Sequence, residues 1–185
     1  MNPENLSLNS SNTSERNFKF NFEEGNRIWQ EVISTSINTC YDDETFAAYT
    51  SREQMLAFFF TLFQSLTQYE DITKHNKMYD GRYFSAIKTT TYVFFKTNID
   101  YGTSIGEIQP RTWWSRQYPQ LLAIAILGIS YLWSVDDSEN KEQTDAGIDK
   151  IINWIYDIMQ PNAIDSGIGV LQFLIELKQQ HGRTK

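Results

Sequence analysis

The sequence predicts an all-α protein, a helical bundle of about six helices in one domain. Three observations carry this. Apolar residues recur at three- and four-residue spacing in one segment after another. No stretch sustains the apolar–polar alternation of a half-buried strand. Only 4 Pro and 9 Gly occur in 185 residues, too few turn formers for a many-turned β sandwich.

Each element follows from its own pattern. Residues 1–20 are rich in Asn, Ser and Glu and poor in aliphatics, and are expected to form a disordered polar tail. Phe22, Ile28, Trp29, Val32, Ile33 and Ile37 then predict a helix of about four turns ending near Cys40. Next comes the signature of a capping box, with Thr50 and Glu53, or Ser51 and Gln54, as the reciprocal pair. The helix it opens, through to about Ile72, is apolar on most of its surface, as a central helix should be.

After a polar turn at 74–80, Tyr83, Phe84, Ile87, Thr91, Phe94, Phe95 and Ile99 continue at helical spacing. The β-branched run Thr89–Thr91 makes a strand the main alternative there. Residues 102–110 form a loop. Trp113 and Trp114 start the next segment, and Pro119 suits the first turn of a helix running to about Val135. Residues 136–140 are expected to be an acidic surface loop, with Thr144 capping a closing pair of helices broken at Pro161-Asn162. The longest apolar run, Leu121–Ile129, is too short to span a bilayer and suits a buried helix.

Charge and composition narrow the function. The formal net charge is -7 and no run of Lys or Arg occurs, whereas duplex binding requires a basic face. Cys40 is the single cysteine, which excludes an intrachain disulfide and suits a reducing, cytoplasmic setting; acidic neighbours disfavour it as a nucleophile. His75 and His181 have no partner at metal-ligand spacing, and the acidic clusters at 42–44 and 136–139 lack the donor pattern of a calcium loop. No catalytic, metal or cofactor site emerges, and an enzyme is not expected.

Two features remain. Aromatic side chains crowd the central segments, either as a bulky core or as the wall of a cavity between helices. On the cavity reading Phe59, Phe63, Tyr92, Trp114 and Leu122 would hold an apolar ligand. Ile148, Ile151, Ile155 and Ile158, continued by Ile168, Leu171 and Ile175, give the closing helices more aliphatic surface than one core needs. These residues are expected either to complete the protomer core or to form a homodimer interface.

Three segments carry a resemblance: YTSREQMLAFFFTLFQSL (49–66), GEIQPR (106–111) and EQTDAGIDKIINWIYDIMQPNAIDSGIGVLQFLIE (142–176). In this order they resemble the C-terminal regulatory domain of TetR-type transcriptional regulators, in the form common in Bacteroidetes, over about residues 22–177. The resemblance implies a regulatory domain over 21–180 that dimerises through its last two helices and encloses a small apolar or amphipathic effector. No match to the family's helix-turn-helix head precedes Phe22, so DNA binding by this chain alone is not expected. The alternatives are a complete repressor whose head lies outside this chain, and a lipid-binding accessory protein similar to the TetR-fold protein of ubiquinone biosynthesis.

Overall fold

The computed structural model describes residues 22–111 and 115–160. These form six α-helices: α1 (Phe22–Asp42), α2 (Ser51–Leu66), α3 (Glu70–His75), α4 (Phe84–Ser104), α5 (Tyr118–Val135) and α6 (Glu142–Met159). Short 3-10 turns join them, and no strand occurs among the described residues. The all-α expectation therefore holds. The count of six is reached differently, because α3 is a short extra helix. The helix expected after Pro161, the tail at 1–20 and Trp113-Trp114 lie outside the described residues.

Periodicity explains the packing. In α1, Ile28, Trp29, Val32, Ile33, Ser36 and Cys40 are buried at helical spacing, and Trp29 donates its indole N–H to the Met78 carbonyl at 3.0 Å. Helix α2 packs on α1, α4, α5 and α6, the central position its greasy surface predicted. Its N-terminus settles the choice between two capping boxes. The Thr50 hydroxyl accepts from the Glu53 N–H, and the Glu53 carboxylate accepts from the Thr50 N–H. Helix α2 ends at Leu66 rather than near Ile72, and the 3-10 turn that follows brings the Tyr69 hydroxyl to Glu31 on α1 at 3.1 Å.

The threonine run is helical. Thr90 and Thr91 donate their hydroxyls to the carbonyls of Ala86 and Ile87, at 2.9 and 2.8 Å, which satisfies them inside the helix. Tertiary burial of Ile87, Thr91, Phe94, Phe95, Asn98 and Ile99 along one face outweighs the weak β preference. Phe58, Phe59, Phe94 and Phe95 meet between α2 and α4 with ring centroids 4.8–6.4 Å apart.

Helix α5 begins at Tyr118 with Pro119 in its first turn, where a missing N–H costs nothing. Together with the turn before it, Ser115–Val135 is long and apolar enough to cross a membrane by length and composition, more than the nine-residue run suggested. Half of its most apolar 18-residue window is buried inside the bundle, where the helix packs on α4 and α6. Ile124, Tyr131 and Val135 form an exposed stripe on its other side.

The loop after α4 fixes the far end of α6. Gly106 adopts the left-handed φ of +77° that reverses the chain. Gln109 then donates its N–H to the Met159 carbonyl at 2.8 Å, and Arg111 donates to the carbonyls of Ile158 and Gln160 at 2.8 and 3.1 Å. The helix end that would otherwise leave carbonyls open is thereby capped.

Candidate functional site

A cavity of about 420 Å³ opens between the C-terminal half of α2 and the corner joining α5 to α6. Phe60, Phe63 and Gln64 from α2, with Thr67 from the 3-10 turn after it, form one wall. Trp133 from α5 and Asn140, Lys141, Thr144 and Asp145 from the corner form the other. Aromatic rings stand on both walls, Phe60 and Phe63 on one and Trp133 on the other, and the charged groups Lys141 and Asp145 come from the corner.

The corner is built around Asp136. Residues 136–140 are not simply a solvated acidic loop, because Asp136 is only 3% exposed. Its carboxylate accepts from the N–H and hydroxyl of Ser138 at 2.9 and 2.5 Å, and from the N–H and hydroxyl of Thr144 at 2.8 and 2.6 Å. Burial alone would raise its pKa. The hydrogen bonds from Ser138 and Thr144 outweigh burial and hold it well below the usual carboxylate range. Thr144 is thus not the cap itself: α6 starts two residues earlier, and Asp136 caps it from outside the helix.

Lys141 completes the corner. Its ammonium lies 2.7 Å from the Asp136 carbonyl, 3.1 Å from the Glu70 carboxylate, and 5.2 Å above the Trp133 ring. Asn140 and Lys141 both take left-handed φ, +51° and +61°. Consecutive left-handed residues without glycine store strain, which the bonds of Lys141 and Asp136 sustain. Asp145, exposed in the first turn of α6, has its pKa raised by the partial loss of water around its carboxyl and by the charges of Asp136 and Glu142.

A second cleft, of about 300 Å³, lies at the opposite end of the bundle among Tyr41, Phe46, Phe94 and Tyr101. Its floor touches Asn98, part of a buried polar node. The Ser51 hydroxyl lies 2.8 Å from Asn98 Oδ1 and 2.9 Å from the Tyr156 hydroxyl, and Tyr156 donates to Asn98 Oδ1 at 2.6 Å. Asn98 Nδ2 donates to the Ser51 carbonyl at 2.9 Å and to Gln54 Oε1 at 3.1 Å. Burial pushes the Tyr156 phenol well above its ordinary pKa, so it stays a neutral donor. Arg52 closes the node from outside, 5.6 Å from the Tyr156 ring and paired with Asp157 at 3.0 Å.

The five residues expected to hold a ligand do not meet in one place. Phe63 lines the larger cavity. Phe59 and Leu122 are fully buried in the core. Tyr92 is 45% exposed on the outside of α4, one position past the buried Thr91. Trp114 lies outside the described residues. Among the interface candidates, Ile148 and Ile155 are buried in the protomer's own core, so they present no surface to a partner. Ile151 and Ile158 are half-buried and flank Trp154, which is 60% exposed. Ile168, Leu171 and Ile175 lie outside the described residues. The sequence reasoning missed Lys141, Thr144 and Asp145 as cavity residues. The signal available was an acid-rich decapeptide, 136–145, directly after an aromatic helix end.

Cys40 is buried, and burial raises its thiol pKa, consistent with an inert packed cysteine. Among the described residues no group of three or more His, Cys, Asp or Glu side chains could hold a metal ion.

The family model described as the tetracyclin repressor-like C-terminal domain matches residues 54–174. No curated protein matches the chain significantly, and neither does any solved structure. The match runs from the first turn of α2 through all of α6, so it takes in both the cavity and the helix expected to dimerise. The chain belongs to the tetracyclin repressor-like C-terminal domain family.

Proposed function

We propose that this chain is the ligand-sensing and dimerising domain of a cytoplasmic regulator, that it binds a small apolar or amphipathic molecule, and that it does not bind DNA by itself. The observation that carries the reading is the 420 Å³ cavity between α2 and the start of α6. A molecule held there touches the helix whose outer edge, Ile151, Trp154 and Ile158, is the candidate partner surface. Occupancy and dimer geometry would then be linked through one rigid element.

Native mass spectrometry of the purified chain tests the ligand. The expected result is a bound apolar species in the wild type that is absent from Gln64→Trp, which fills the cavity from its exposed rim. Retention of the same species by the variant would overturn the assignment to this cavity. So would a wild type that carries nothing and shows no thermal shift with any member of an apolar ligand set. For DNA, a salt-sensitive, sequence-specific gel shift at nanomolar protein would contradict the reading.

A further inference from the structure

The cleft of about 300 Å³ at the opposite end of the bundle shares no lining residue with the larger cavity. We propose that it is a second small-molecule site, which takes a neutral, planar aromatic compound. Its volume is at the low end of the roughly 300–1,000 Å³ of ligand pockets, which limits the occupant to one or two fused rings.

The arrangement of rings favours an aromatic occupant. Phe46, in the 3-10 turn before α2, and Phe94, on α4, line the cleft and are both buried. Their rings lie nearly parallel, at 23°, with centroids 6.5 Å apart. Tyr41, in the last turn of α1, stands edge-on to both, with centroids 5.8 and 5.9 Å away and interplanar angles of 86° and 76°. Two phenylalanines hold this ring in place, yet it is 57% exposed. An aromatic ring has a negative face and a positive edge, so a fixed set of rings binds a further ring better than a saturated body of the same size.

The polar groups at the cleft exclude a charged occupant. Among the described residues no charged side chain lines it. Gln54 donates to the carbonyls of Phe46 and Tyr49 at 3.2 and 3.3 Å and accepts from Asn98 Nδ2 at 3.1 Å. Asn98, 3% exposed, has its own carbonyl taken by Ser51 and Tyr156. The Tyr101 hydroxyl donates to the Tyr49 carbonyl at 3.3 Å. An ion entering here would shed water and meet neither counter-charge nor a free partner, a cost that a neutral ring does not bear.

The test titrates four probes into the full chain at pH 7 and physiological salt, followed by saturation-transfer NMR: 2-naphthol, decahydro-2-naphthol, 2-naphthoate and the 2-naphthylmethylammonium ion. The naphthol is expected to bind on the order of fivefold more tightly than its saturated counterpart. It should exceed both ions by at least about tenfold. Tyr41→Ala should weaken it and Tyr41→Phe should not, because the ring rather than the phenol is used. Thr97→Trp, which fills the cleft from an exposed lining position, should abolish binding. Circular dichroism should stay unchanged in all three variants, since both side chains are exposed. Gln64→Trp, which fills the larger cavity, should leave naphthol binding intact. Absence of naphthol binding, or binding unchanged in Tyr41→Ala or Thr97→Trp, overturns the site. Loss in Gln64→Trp places the probe in the larger cavity and overturns it equally. An ion that binds as tightly as the naphthol overturns the neutral class, and an equal affinity for the saturated probe overturns the aromatic one. The reading of the larger cavity is decided separately, by the co-purification experiment.

Discussion

The Tyr156 hydroxyl lies 2.6 Å from Asn98 Oδ1 and joins α6 to α4 where both side chains are buried. Ser51, the first residue of α2, completes the contact, so three helices meet in one satisfied polar node. A buried polar group that loses its partner costs its desolvation, about 1–3 kcal/mol. Tyr156→Phe should therefore lower unfolding free energy by about that amount in urea titration. Ser51→Ala should cost similarly, and the double variant should cost less than the sum, since one node is lost once. Additive losses would mean that the three groups act independently.

Gly102 stands behind that node. A Cβ there would lie 2.7 Å from Ser51 Oγ and 2.8 Å from both Ser51 Cβ and Ile108 Cδ1. Ser51 cannot yield without leaving its bonds to Asn98. Gly102→Ala is expected to destabilise the protein by about 1–3 kcal/mol. Gly128→Ala is the internal control: its Cβ would meet nothing within 4 Å, and alanine favours the helix by up to about 1 kcal/mol. Thermal melts of the two variants should move in opposite directions.

These residues also mark what the sequence could and could not reveal. The Thr50–Glu53 cap and Pro119 were legible because their partners lie within one turn. So was the buried face of α1, where apolar and polar positions separate cleanly. Tyr92 was misleading because an aromatic ring sits beside buried Thr91, and residue type alone does not fix helical phase. In α5 nearly every position is apolar, so no pattern distinguished buried Leu122 from exposed Ile124. Asp136 resembled a solvated charge because its partner Thr144 is eight residues away and its value depends on the α5–α6 corner. Of the expected ligand residues, Phe63 reached a cavity; apart from Trp133 of α5, the facing wall is polar and comes from that corner.

The corner should respond to acid. Asp136 has a lower pKa folded than unfolded, so its contribution is present at neutral pH and above. It is lost as pH falls through the aspartate range toward the folded value, from about pH 5 downward. Asp136→Asn places an amide N–H₂ against donors and removes the outside cap of α6. A loss of about 1.5–3 kcal/mol at pH 7 is expected, the range for hydrogen bonds to a charged group. The gap between wild type and variant should then shrink in denaturation curves taken at progressively lower pH. A gap independent of pH would show that the carboxylate's charge contributes nothing.

The exposed edge of α6 separates core from interface. Trp154 is 60% exposed, with Ile151 and Ile158 half-buried beside it, whereas Ile155, one residue on, is fully buried. Replacing Trp154 by Glu puts a charge at the candidate partner surface without entering the core. The wild type is expected to sediment as a dimer at micromolar concentration, and Trp154→Glu to shift toward monomer with its helical circular dichroism intact. Ile155→Glu should instead unfold the chain, because an unpaired carboxylate in an apolar core costs several kcal/mol, on the order of the whole stability of a domain. If Trp154→Glu sediments like the wild type, the exposed edge of α6 is not the surface through which copies meet. If the wild type is itself a monomer, the aliphatic excess of the closing helices belongs to the protomer alone.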